Sequence, residues 1–333
     1  METMKKIFSV VCLAAMLPLA GAVSAEAGPV VLKASILQPE GDPSVVAFRE
    51  GFKKTLEEKS HGKYRVDVFT GGSLGNADTV IQGIQFGTLH FATESLANFS
   101  QFNPELGVFD LPYLLPESKD IDKVFKSPVG QRLFGKIESR GLKVLDFWLS
   151  SYRAICSTVP IATLEDAKGL KIRTTASRWH MAAVQSLGLS PTPMAPTEII
   201  TGLQQGVIAG TDTEYPSIIA WHFIDVAKNV TLSDHVPCCW VMLTNQKWLD
   251  KLPEEDRAIV EESVQAYHSI LTAEYEKQNA ETLRSIVEDY GGKVYRLSAE
   301  EKQRWMDKSR AMYDTLPDNM KKLAEEIRAA IKE

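Results

Sequence analysis

Two arginines carry the clearest chemistry in this 333-residue chain. Arg173 closes the run Asp166-Ala167-Lys168-Gly169-Leu170-Lys171-Ile172-Arg173-Thr174, in which a short apolar strand follows a glycine turn. Strand alternation sends Lys171 and Arg173 to one face and Ile172 to the other. Arg173 also comes at the strand's carboxyl end, outside which open α/β sheets hold their ligands. Arg153 starts the preceding strand, just after Trp148 and Tyr152. A guanidinium suits a carboxylate because its planar fork donates two parallel hydrogen bonds. From the residues alone, each arginine reads either as an anion clamp or as a surface or ion-paired side chain.

Catalytic constellations are sparse beside these. Gly71-Gly72-Ser73-Leu74-Gly75 matches the G-x-S-x-G string of a nucleophile elbow and follows a strand. A hydrolase built on Ser73 lacks an evident downstream acid and histidine. The six histidines show neither H-E-x-x-H nor C-x-x-C companions. Phosphate loops and dinucleotide fingerprints are missing from the sequence as well. These readings favour a binding protein without cofactor or metal over an enzyme.

The elements that must position the arginines alternate along the chain. Val30 to Leu37 is apolar and β-branched, Ser44 to Lys59 has helical spacing, and Tyr64 to Phe69 alternates as a strand. After the Gly71–Gly75 turn come a helix over Asp78 to Phe86 and a strand over Thr88 to Thr93. The pattern resumes at Leu142 to Phe147, Arg153 to Ser157, Leu170 to Thr174, Ile199 to Gln205 and Gly210 to Thr213. Such alternation predicts βαβ units and a largely parallel sheet. The last third differs. Pro253-Glu254-Glu255 opens one helix with acids in its first turn, and Gly291-Gly292 closes it. A helix of that length spans over ~50 Å, enough to brace two lobes. Ala299 to Lys332 reads as two or three more amphipathic helices.

Composition narrows the setting. Lys5 and Lys6 precede an apolar stretch from Ile7 to Leu19, and Val23-Ser24-Ala25 has the small-x-small form of a cleavage site. We read 1–25 as a signal peptide, with a soluble periplasmic chain starting near Glu26 or Gly28. Ala22 stands where a lipoprotein would carry its acylated cysteine, so no lipid anchor is expected. Hydrophobic residues at 44% and charged residues at 24% describe a globular protein. The net charge of -6 becomes -7 when Glu2, Lys5 and Lys6 leave with the leader, and no basic stripe invites nucleic acid. Cys156, Cys238 and Cys239 remain in an oxidising compartment, where a bond from Cys156 to either partner stays open.

Taken in order, these stretches resemble the extracytoplasmic solute receptors of tripartite ATP-independent periplasmic (TRAP) transporters, of the dicarboxylate-receptor type. The similarity runs from Leu32 to about Tyr295. It rests on Gly71 to Gly75 with Gly87-Thr88, Phe109-Asp110-Leu111-Pro112-Tyr113, Arg153 and Leu164 to Arg173, where the family usually reads DLKGLKIR. Leu187-Gly188, Pro191-Thr192-Pro193-Met194, Glu198 and Leu203-Gln204-Gln205-Gly206-Val207 extend it. The resemblance implies a two-lobed, periplasmic-binding-protein-like α/β clamshell with a long helix bracing both lobes. We place one lobe at 28–151 plus about 239–279, and the other at 152–238 plus about 280–333. It further implies that Arg173 clamps a ligand carboxylate, that Arg153 assists, and that a residue beyond Val207 to Gly210 completes the site. The partners it implies are a small organic acid and the integral-membrane subunits, with the receptor itself a monomer. An exported sensory protein feeding a receptor kinase would share all of this and is the alternative.

One departure bears on the ligand. Many relatives carry asparagine where this chain has Thr213-Glu214-Tyr215-Pro216. An ionised Glu214, with Glu94 at the end of its strand, would repel a second ligand carboxylate. A monocarboxylate bearing hydroxyls or an ammonium is therefore expected, against an aromatic wall drawn from Trp148, Phe147, Trp179 and Tyr215.

Overall fold

The computed structural model describes residues 28–332, so the segment read as a signal peptide lies outside the described residues. Ten strands form one continuous sheet. They are β1 (Val30–Ile36), β2 (Tyr64–Phe69), β3 (Phe91–Ser95), β4 (Leu142–Ser157), β5 (Lys171–Thr174), β6 (Ser190–Pro193), β7 (Gly210–Glu214), β8 (Asn229–Leu232), β9 (Pro237–Asn245) and β10 (Lys293–Arg296). The first lobe orders its strands β2-β1-β3-β9-β4. The second fans out from the far half of β4, with β7, β5 and β6 on one side and β8 and β10 on the other.

The stretches read as separate strands at Leu142 to Phe147 and Arg153 to Ser157 are one 16-residue strand. From Leu142 to Tyr152 it pairs with β9, and from Arg153 to Ser157 with β7. The handover between lobes thus falls at Arg153. Register shifts leave Leu145 and Ser150 without partners. Bulges bend a strand and re-aim its side chains, and here they break the alternation on which a sequence reading depends. The sheet is mixed rather than largely parallel. β1 is parallel to β2 and β3, and β5 to β6 and β7, but β9 and β4 run antiparallel through the centre.

The long helix is observed at Glu254–Glu288. Val260, Tyr267, Leu271 and Tyr275 pack into the first lobe with Phe48, Phe52 and Trp148, while Ile286 packs into the second with Phe223 and Val230. This is the brace expected from its length. The C-terminal segment behaves differently from the expected division. Trp305 in the helix Ala299–Asp314 is buried in the second lobe, but Met320, Leu323 and Ile327 in the helix Asp318–Ala330 pack on Phe125 and Leu133 of the first. The chain recrosses, so the end of 280–333 belongs with lobe one, where an apolar face of Ile121 to Ile137 needed cover.

All three described cysteines are free and buried. Adjacent Cys238 and Cys239 point to opposite faces of β9 and join different cores, and Cys156 lies in a third. The open pairing of Cys156 is thereby answered.

Two predictions follow from the long helix. The helical stretch Phe48–Lys53 crosses it so closely that a Cβ on Gly51 would sit 2.8 Å from the Tyr267 backbone. Gly51→Ala should cost about 1–3 kcal/mol in denaturant unfolding, and an unchanged midpoint would contradict that contact. At the helix start, buried Asp256 accepts from Lys63 Nζ at 2.5 Å and Tyr64 OH at 2.8 Å. Burial alone would raise its carboxyl, but these donors hold it below the usual 3.8. A depressed carboxylate stabilises above its unfolded pKa and loses that stability as pH falls through the folded value. Asp256→Asn should cost about 1 kcal/mol near neutrality, given the half-exposed lysine. The difference from wild type should vanish in acid, and a pH-independent difference would contradict this origin.

Candidate functional site

The carboxyl ends of β1, β3, β5 and β7 converge on a cleft of about 390 Å³ between the lobes. Its lips meet at the Gly71–Gly75 turn. Gly72, in left-handed backbone at φ 69°, leaves room for Thr197, whose methyl would lie 3.4 Å from an added Cβ. Ser73 is exposed on that turn and makes no side-chain hydrogen bond among the described residues, so the turn is a lip and not an elbow.

Arg173 and Arg153 both line the cleft and are 6% and 4% exposed. Arg173 spends one donor, its Nε, on the carbonyl of Met194 at 2.9 Å. Both of its Nη groups lack a partner among the described residues. Burial, and then the charge of Arg153, lowers its pKa to about 10. It stays cationic at neutral pH. Arg153 places Nη1 3.4 Å from both the carbonyl and Oδ1 of Asp212, and its buried Nε has no protein partner. Burial disfavours its charge, but the surrounding negative groups, Asp212, Asp110 and Glu214 among them, hold its pKa above the usual arginine value.

Asp212 was not singled out from the sequence. It is fully buried, and its Oδ2 lies 3.0 Å from His180 Nε2 and 2.9 Å from His235 Nε2. Burial alone would raise this carboxyl, yet the two histidines hold it well below the carboxylate range. An ionised carboxylate only accepts, so both Nε2 atoms donate. Thr175 Oγ1 and Ser233 Oγ meet the two Nδ1 atoms at 2.8 and 2.9 Å. Among the described residues these three side chains form a cluster that could ligate a metal. Their separations are those of hydrogen bonds, however, and the Arg153 guanidinium already supplies the cation.

Glu214, also lining the cleft, is saturated rather than free. Its carboxylate accepts from Gln38 Nε2 and Ser150 Oγ, from Ser217 Oγ at 2.9 Å and from Trp240 Nε1 at 2.9 Å. Ser150 is the bulged residue of β4, and Gln38 reaches over from the end of β1. All four donors are neutral, and Glu214 forms no ion pair among the described residues. Thr213 lines the cleft beside it.

The other expected residues lie off the cleft surface. Glu94 is buried behind it, with Oε2 accepting from Asn98 at 3.0 Å and Oε1 unpartnered. Burial pushes its carboxyl up to about 7, and nearby Asp78 adds to this. Trp148 is core, edge-on to Tyr267 at 5.5 Å, because the bulges turn it to the helix side of β4. Tyr215 points away to bond Asp234. Phe147 packs on Phe125, and Trp179 docks over Gly107 and bonds the Pro104 carbonyl at 2.9 Å. The aromatic residues that do line the cleft are Trp221, Phe223 and Trp240, together with the polar Gln38, Asn76, Asp78, Asn98 and Gln101, and Trp221 Nε1 donates to Gln38 Oε1 at 3.4 Å. Gln38, Asn76 and the Asn98–Gln101 pair lie on separate elements, so no single local motif marks them.

This architecture has known relatives. A family model described as bacterial extracellular solute-binding protein, family 7, matches residues 34–319. The C4-dicarboxylate-binding periplasmic protein DctP of Vibrio cholerae is 29% identical over 86% of each chain. The 2,3-diketo-L-gulonate-binding periplasmic protein YiaO of Escherichia coli is 32% identical over 67% of this chain and 69% of its own. In structure, the sugar acid binding protein DctPAm of Advenella mimigardefordensis, solved with galactonate, aligns at TM-score 0.87 and 26% identity over 92% of this chain and 98% of its own. The chain therefore belongs to family 7 of the bacterial extracellular solute-binding proteins, the TRAP transporter receptors that its motifs resemble.

Proposed function

We propose that this receptor captures a monoanionic sugar acid, a polyhydroxylated monocarboxylate, in the periplasm and hands it to the membrane subunits of a TRAP transporter. One observation carries the reading. Arg173 presents two Nη groups, unpartnered among the described residues, to a cleft lined by amides, hydroxyls and carboxyls. The guanidinium fork takes the ligand carboxylate. Asn76, Asn98, Gln101 and Thr213 add amide and hydroxyl groups to the lining, which supply both donors and acceptors to a polyol. Asp78 and Glu214 on the lining disfavour a second ligand carboxylate. The cleft is of the size that encloses a small ligand. A galactonate complex in one neighbour and a diketogulonate-binding name in a relative support the class, while the dicarboxylate-binding relative marks the competing one.

Closure follows from the same contacts. The ligand touches both lobes and so favours the arrangement in which they meet. Gln38 to Glu214, and Ser177 Oγ to Asp110 at 2.6 Å, already join them across the cleft. In this reading the receptor acts as a monomer after its leader is removed on export.

The test is calorimetric titration of the mature protein with hexonates and C4 dicarboxylates. Hexonates should bind, and Arg173→Ala should weaken them by roughly two to three and a half orders of magnitude, the 3–5 kcal/mol cost of leaving a buried charge unpaired. Near-wild-type affinity in that variant would overturn the clamp. Binding confined to dicarboxylates would overturn the sugar-acid class.

A further inference from the structure

We infer that Asp212 is the specificity-determining countercharge of the cleft: ion-paired with Arg153, it cuts the positive charge that the two arginines present and so restricts the receptor to ligands with a single carboxylate. This rests on the sugar-acid reading and explains it from the arginine side of the cleft.

The geometry is specific. Oδ1 of Asp212 faces Arg153 Nη1 at 3.4 Å, and both side chains are sealed from solvent. Oδ2 is occupied by two imidazole donors, so the carboxylate cannot turn away from Arg153 or take up a proton cheaply. Burial, and then the charge of Arg153, lowers the pKa of His180, which keeps this imidazole neutral. Asp212, unlike Glu214, is therefore matched to a cation. Glu214 rests on neutral donors only. Asp110, which also senses Arg153, has its carboxyl raised by burial and bonds Ser177 across the lobes. Two cationic arginines with no acid between them would make a double clamp for a dianion. With Asp212 present, Arg153 lines the cleft with its charge matched, its Nη1 turned to Asp212 and its Nε buried. Charges within a few ångströms in such a site shift affinity by about tenfold or more at an effective dielectric near 20.

The experiment compares galactonate with galactarate, the same six-carbon skeleton carrying a carboxylate at both ends, by calorimetry at fixed neutral pH and salt. The quantity read is the affinity ratio within each protein, which cancels any general loosening of the site. Wild type should prefer galactonate. Asp212→Asn should shrink or reverse that preference by about tenfold or more. Arg153→Gln, which leaves Asp212 without its cation, should widen it and serves as the deciding variant if Asp212→Asn does not fold. Equal loss of both affinities with an unchanged ratio would overturn the countercharge and make Asp212 structural. A wild type that holds both acids equally would overturn it too. A wild type that binds neither would instead overturn the sugar-acid reading on which the inference stands.

Discussion

A guanidinium that is buried and charged, with a single backbone carbonyl as its protein partner, is the constraint to which the rest of this cleft answers. Moving a charge out of water is costly unless it is matched, and Arg173 has one backbone carbonyl from Met194 to offset that cost. Its pKa falls toward 10 under burial and the repulsion of Arg153. The site lowers the burden by matching the second arginine internally, through Asp212, and by assembling neutral dipoles around the negative groups. What remains is a cationic Arg173 with both Nη groups unpartnered among the described residues, in a cleft also lined by amides, hydroxyls and the carboxyls of Asp78 and Glu214.

The fold supplies that arrangement through a single long strand. β4 belongs to both lobes and changes partners from β9 to β7 at Arg153. Arg153 therefore sits where the strand passes from one lobe to the other, opposite Glu214 in register. The bulge at Ser150 turns a hydroxyl onto Glu214, while Gln38 from β1 reaches the same carboxylate. Residues lining the cleft therefore sit on or beside the one strand that links the lobes. The long helix, packed on both lobes, limits how far they can part.

Arg173 was legible because its strand is short, follows a glycine turn and alternates cleanly. The two-lobed class and the bracing helix were legible from the βα alternation, the motif order and a helix longer than one small lobe. Asp212 was not, because its partners His180 and His235 lie 32 and 23 residues away and only the sheet brings them together. Glu214 was recognised as an acid near the ligand, but donors 176 and 64 residues away decide what it does there. Trp148 was misplaced for a geometric reason, since bulges shift the alternation that assigned its face. The return of the last helix to the first lobe depends on which apolar surface lacks cover, and no local pattern encodes that.

The most direct measurement is a crystal structure of the mature protein with a hexonate bound. The account predicts the carboxylate within about 3 Å of both Nη groups of Arg173, in the spacing of a two-pronged charge-assisted bond. The hydroxylated tail should run toward Asn76, Asp78 and Asn98. A ligand bound the other way round, with its carboxylate on the amide side and hydroxyls against Arg173, would contradict the central claim.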